Sequence, residues 1–195
     1  MRANGMQIIL SELIRNCNRC KVIDKPFIIY EVYEKWLPSK VRLLIIGESP
    51  PPSKKTSFFY NLSEFDRLRL SFKYILGNKS WKDEHLLSAL KNSGVFVTSA
   101  VKCRPPSREA IPIMRYNCVD VLEEEVKVLN PKTILAMGKC AAKSISEIYE
   151  LNEPKTLKTV TEFKLGELRL IFSPHFNYVF RFRRDLATLL KRYVI

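Results

Sequence analysis

At 195 residues, with 46% hydrophobic and 11% aromatic side chains, the chain is long enough to bury one sizeable core and too apolar to remain disordered. Lys and Arg outnumber Asp and Glu by 33 to 20, a net charge of +13, which is the footprint of a polyanion binder. A membrane surface would attract the same charge, but no apolar run approaches the roughly 20 residues of a membrane span, and Met1 to Leu10 lacks the apolar stretch of a signal peptide. A cytoplasmic protein is therefore expected. No Gly/Ser linker or low-complexity block divides the sequence, so one domain is read over residues 1–195. Five cysteines, an odd number, point to metal ligands or free thiols rather than a disulfide frame.

In chain order, Met6 to Arg15 carries apolar residues at helical spacing and leads into Cys17-Asn-Arg-Cys20. A CxxC pair at a helix end is a common metal half-site, although two buried structural cysteines have the same spacing. Asp24 to Trp36 is aromatic-rich and fits helix or extended structure. Val41 to Pro52, VRLLIIGESPPP, reads as a strand with no polar alternation, which suits burial on both faces, running into a proline-stiffened loop. In open α/β sheets ligands bind at the carboxyl ends of strands, so this loop is a candidate site. Ser53, Lys54 and Lys55 follow, then Phe58-Phe59-Tyr60, aromatic faces beside cations that suit base stacking near phosphates and equally suit a core. A helix is expected from Ser63, as its N-cap, to Leu76, with Gly77 as its stop. Another is expected over Trp81 to Asn92.

Val95 to Val101 reads as a second strand, ending in Lys102-Cys103-Arg104-Pro105-Pro106. A long helix follows from Pro112 to about Asn130, with Cys118 in its first turns. Thr133 to Met137 is a third strand, and Gly138 turns the chain into a helix ending near Tyr149, where Cys140 reads as a small buried hydrophobe. Asn152 to Thr161 is a polar loop. Leu168 to Phe172 is the fourth strand and delivers Ser173-Pro174-His175-Phe176-Asn177, followed by a basic helix from about Tyr178 to Tyr193. Four apolar strands separated by helices predict an α/β fold, a three-layer α/β/α sandwich around a central, mainly parallel four-stranded sheet. Its strand ends would gather GESPPP, SAVKCRPP and SPHFN around one crevice.

The succession GESPP, an aromatic segment, VFVTSAVKCRPP, ILAMGKCAA and SPHFNYVFR resembles the uracil-DNA glycosylase superfamily, above all its family 4 iron-sulfur branch, over nearly the whole chain. That branch opens with a CxxC pair, places GExPG after the first strand, ends a later strand in a segment like NVVKCRPP, and closes on a His-Pro-Ser type loop. The resemblance implies hydrolysis of the N-glycosidic bond of uracil or another deaminated base in DNA, as in base-excision repair, by a monomer. A non-catalytic iron-sulfur nucleic-acid-binding protein on the same fold is the alternative.

It also implies roles. His175 aligns with the closing histidine, with Arg181 six residues later, and would donate a hydrogen bond to the leaving base; Glu48 would organise the attacking water. Gly47, Ser49, Pro50, Phe59 (with Phe58 as alternative) and Ser99 would contact the base, and Lys54, Lys55, Lys102, Arg104, Asn177 and Arg181 the DNA. Cys17, Cys20, Cys103 and Cys118 match the ligands of a [4Fe-4S] cluster, with a four-cysteine zinc site as the alternative. The sequence departs from the family at Ser99, which stands where an asparagine reads uracil, at Pro51 in place of a glycine, at Ser53-Lys54-Lys55 in place of acidic residues, and at Phe176 in place of proline.

Overall fold

The computed structural model describes residues 3–195; Met1 and Arg2, the start of the stretch tested above for a signal peptide, lie outside the described residues. Apolar runs without polar alternation form strands that are buried, as the pattern predicts. Leu43–Gly47 (β1) and Val95–Ser99 (β2) are buried along their whole length, and Thr133–Met137 (β3) along all but its first residue. Two further strands, Thr161–Leu165 (β4) and Leu168–Ser173 (β5), complete a sheet of order β2-β1-β3-β5-β4. Pairings β1·β2, β1·β3 and β3·β5 are parallel, and β4 runs antiparallel to β5. The sheet therefore has five strands, not the four expected. β4 escapes the sequence pattern because it lies on an edge with three of its five residues exposed, so its pairing rests on backbone hydrogen bonds rather than on an apolar face. A tight turn at Gly166, with φ of 58°, joins it to β5.

The helices flanking this sheet are Ala3–Asn16 (α1), Pro26–Ile29 (α2), Val32–Trp36 (α3), Arg67–Leu76 (α4), Asp83–Asn92 (α5), Ile111–Leu129 (α6), Lys139–Ile148 (α7), Phe176–Phe182 (α8) and Ala187–Val194 (α9). The ambiguous Asp24 to Trp36 segment is helical, split by Glu31 at φ 49°. α4 begins later than expected. Its cap is Asp66, whose carboxylate accepts the Arg69 N–H at 2.9 Å, while Ser63 is held outside the helix by its own N–H bonding Asn61 Oδ1 at 3.1 Å. Gly77 ends α4 at φ 77°, the left-handed stop that glycine allows. The single C-terminal helix expected from Tyr178 is two: the chain leaves helical geometry at Arg183, where Asp185 accepts from the guanidinium at 2.9 Å, and passes a 3-10 turn at Arg184–Leu186.

One apolar cluster runs from Leu10 on α1 to Val194 on α9 and packs both against the sheet and between helices. A smaller one joins Val101, Ile111 and Met114 with Cys20, Val22 and Cys103. The parallel register aligns Gly47 with Ser99 and Met137 with Ser173, so β1, β2, β3 and β5 all stop at one level. The loops after them consequently open at the same edge of the sheet.

Candidate active site

At that edge lies a cleft of about 330 Å³. Its walls include Gly47 to Pro51 after β1, Ser99 at the end of β2, His175 and Asn177 after β5, and the aromatic run Phe58 to Tyr60. Residues 47, 48, 49, 50, 59, 99, 175 and 177, widely separated in sequence, are thus brought together. Gly138, at φ 86°, lets β3 turn into α7 directly beneath the histidine; a Cβ there would lie 3.4 Å from His175 Cβ.

His175 is the N-cap of α8, and its Nδ1 accepts the Asn177 N–H at 3.2 Å. An accepting Nδ1 fixes the neutral tautomer, which carries its proton on Nε2. Burial pushes the imidazole pKa down to about 4, so the ring is neutral at physiological pH and offers one N–H donor. Ser99 has the opposite polarity. Its hydroxyl donates to the Val101 carbonyl at 2.7 Å, so with that proton committed it faces the cleft as an acceptor. Its own carbonyl accepts from Lys102 Nζ at 2.8 Å. Glu48 is half-buried in the cleft wall and its carbonyl accepts the Val101 N–H at 3.0 Å, which ties the β1 loop to the β2 loop. Ser49 donates to the Pro50 carbonyl at 2.9 Å.

Phe58 and Phe59 both line the cleft and both are largely buried. Phe59 meets Tyr60 edge-on at 5.0 Å and Phe72 at 5.2 Å, whereas Phe58 is already stacked on Tyr30 at 5.6 Å. The segment is organised by a residue that the sequence pattern does not single out. Arg69 is fully buried, and its guanidinium donates to the carbonyls of Phe58 at 2.9 Å, Phe59 at 2.8 Å, Asn61 at 3.0 Å and Glu64, and to Asp83 at 2.8 Å. Phe65, Asp66 and Arg67 also line the cleft and were missed. Asp66 had a legible signal, an Asp directly before a helical run; its burial raises its carboxyl pKa above the usual range.

Two expected DNA contacts need correction. Lys102 is 1% exposed and its ammonium pairs with Glu125, 2.6 Å from Thr98 Oγ1, while Glu125 also accepts from Tyr33 at 2.6 Å. Arg104 is 1% exposed and donates to Asp24 at 3.0 Å and to the Pro51 carbonyl at 3.0 Å. Both follow an apolar strand closely enough to fold back into the core, where a cation persists only when paired. Neither side chain is exposed at the surface. Lys54, Lys55 and Arg181 are exposed, with Lys55 on the cleft wall and Arg181 over the Phe182 ring at 5.3 Å.

Cys17, Cys20, Cys103 and Cys118 line one cavity of about 20 Å³ together with Val22, Val101 and Met114. Burial pushes the Cys103 thiol up to about 12 and that of Cys118 up to about 11, so without a metal both stay protonated. Among the described residues no group of three or more His, Cys, Asp or Glu side chains is arranged to hold a metal ion. Tetrahedral zinc needs four sulfurs at about 2.3 Å from one point, and the thiols are not gathered that way. A polynuclear cluster spreads its thiolates over several irons, and four sulfurs in an apolar wall fit that donor chemistry in kind. Cys140, expected in the core, is only partly buried, its Sγ lying 3.9 Å from the Glu48 carbonyl. Among the described residues no helix is long and apolar enough to cross a membrane.

The chain matches the family model of the Uracil DNA glycosylase superfamily over residues 34–194. It is 27% identical over 175 residues to the type-5 uracil-DNA glycosylase of Pyrobaculum aerophilum, an alignment covering 78% of this chain and 72% of that protein. The type-4 uracil-DNA glycosylase of the same organism is 26% identical over 148 residues, 71% of this chain and 64% of the relative. That of Archaeoglobus fulgidus is 32% identical over 147 residues, 73% of this chain and 66% of the relative. The family match begins after Cys17 and Cys20, and it takes in the whole sheet with every strand end that opens on the cleft. The chain belongs to the uracil-DNA glycosylase superfamily.

Proposed function

We propose that the protein is a monofunctional DNA glycosylase that hydrolyses the N-glycosidic bond of a deaminated base, with residues 1–195 acting as one unit. The observation that supports this most is the neutral, tautomer-fixed His175 facing the same cleft as Phe59, Ser99 and Glu48. A base in duplex DNA is inaccessible, so the target nucleotide has to be extruded into a pocket of this kind. Cleavage leaves negative charge on the departing base and positive charge on the sugar. His175 Nε2–H donates to the base as that charge develops, Glu48 orients a water beside the sugar, and the Phe59 ring lies against the base. Ser99 presents a lone pair. It favours a base with a ring N–H on its reading edge, which uracil and hypoxanthine have and cytosine and adenine lack. Lys54, Lys55 and Arg181 meet the phosphates, with Asn177 at the cleft mouth.

Cys17, Cys20, Cys103 and Cys118 would hold a [4Fe-4S] cluster. When bound, it cross-links the N-terminal segment to the β2 loop and α6.

The test is excision from oligonucleotides carrying one uracil, hypoxanthine, xanthine, cytosine or adenine, read as alkali-labile strand breaks. Release of a deaminated base with cytosine and adenine untouched is the expected result. Retention of every base, with the DNA bound, would leave a nucleic-acid-binding protein without catalysis.

A further inference from the structure

Phe65 is 68% exposed at the mouth of the cleft, and Lys55 and Arg67, both exposed, line the same opening. Single exposed apolar side chains are common, but among the described residues Phe65 is the exposed large hydrophobic that lines the cleft, so its ring stands where a ligand entering that cleft would meet it. Its loop is fixed. Arg69 binds the Glu64 carbonyl on one side of Phe65, and on the other Asp66 caps α4. Upstream, the Asn61 amide donates to the Thr56 carbonyl at 2.9 Å while its Oδ1 accepts the Ser63 N–H. The backbone on both sides of the ring is therefore pinned, and the ring is held out.

The cations say what that ligand is. A flat apolar face that shares its opening with a lysine and an arginine complements a nucleobase flanked by phosphates. Phe58 and Phe59 are buried in the cleft wall, whereas Phe65 is 68% exposed, so its ring offers a second, solvent-facing aromatic surface on the same cleft. Extruding a nucleotide uncovers the face of the base stacked next to it. We propose that Phe65 is a stacking platform for the nucleobase adjacent to the extruded one, with Lys55 and Arg67 at the flanking phosphates. The proposal rests on the DNA reading given above and adds a second base-contacting site to it.

The test is equilibrium binding of the full chain to a labelled oligonucleotide carrying one uracil, at several salt concentrations, for the wild type, Phe65→Ala, Phe65→Trp and Arg67→Gln. Stacking releases no counterions. Phe65→Ala should therefore weaken binding about 5- to 150-fold with the slope of log K against log[salt] unchanged, and Phe65→Trp should bind like the wild type. Arg67→Gln should lower that slope by about one. A second readout places 2-aminopurine beside the uracil: its fluorescence should be quenched by the wild type and not by Phe65→Ala. If Phe65→Ala binds within about twofold of the wild type and still quenches, the platform is wrong while the glycosylase reading stands. If the wild type binds no oligonucleotide even at low salt, the DNA reading falls and the platform falls with it.

Discussion

Burial alone keeps the His175 imidazole neutral, with a pKa pushed down to about 4. The pH–rate profile should accordingly show no loss of activity around 6.5, its acid limb appearing only as the pH nears 4. Linkage gives a second expectation. The unfolded chain takes up a proton below about 6.5 that the folded ring refuses until about 4, so the contribution of His175 to stability is intact above 6.5 and lost as the pH falls through that window. Urea unfolding of the wild type and of His175→Ala between pH 4 and 7 checks it, the wild type showing the steeper loss. Removing a donor of this kind typically costs ~10²–10³ in rate, so His175→Ala should slow excision by about that factor with DNA affinity nearly unchanged. At Ser99 the committed hydroxyl proton sets the expectation. Ser99→Asn adds an amide donor beside an acceptor and should raise the excision rate for uracil relative to hypoxanthine, measured on matched oligonucleotides; an unchanged ratio would remove Ser99 from base reading.

The segment from Phe58 to Glu64 has little regular structure of its own, and its shape is set by α4 through Arg69. Arg69→Met should leave four carbonyls without their donor and destabilise the fold by about 3 kcal/mol or more, with faster amide exchange at Phe59 to Asn61. Arg69→Lys has the charge without the fork and should recover only part of this. Lys102 presents a similar case between β2 and α6. Lys102→Ala leaves Glu125 buried and unpaired, so it should destabilise by about 3–5 kcal/mol in thermal unfolding without altering the salt slope of DNA binding, whereas Lys54→Gln or Lys55→Gln should each lower that slope by about one with the melting temperature unmoved. The caps illustrate how much of this was legible. Gly77 and Asn130 sit where helix ends were read, because a left-handed stop is a local property; Ser63 does not cap α4, because Arg69 and Asn61 hold the preceding loop in another path.

Across the whole molecule the charge of +13 is unevenly used, since Arg69, Lys102 and Arg104 are buried in ion pairs and only exposed cations remain for a polyanion. DNA affinity should still fall linearly in log K against log[salt], with a slope smaller than the composition suggests. Protein purified without oxygen should be brown and contain iron with sulfide; Cys17→Ser should lose both, and Cys140→Ser should keep them. Stoichiometric zinc with no iron would overturn the cluster. What the sequence by itself determined is what is local or repeated along the chain: the four strands of the parallel part of the sheet, the helices between them, the loops that follow strand ends, and the spacing of the cysteines. Tertiary structure alone decided the edge strand Thr161–Leu165, whose pairing depends on a neighbour's backbone. It also decided which cations are buried, which face of Ser99 is free, and that Phe65 stands outside at the mouth of the cleft. The buried cations depend on partners far apart in sequence, and the edge strand and the Ser99 hydroxyl on which backbone groups the folded chain leaves within reach, so none of these is settled until the chain has folded.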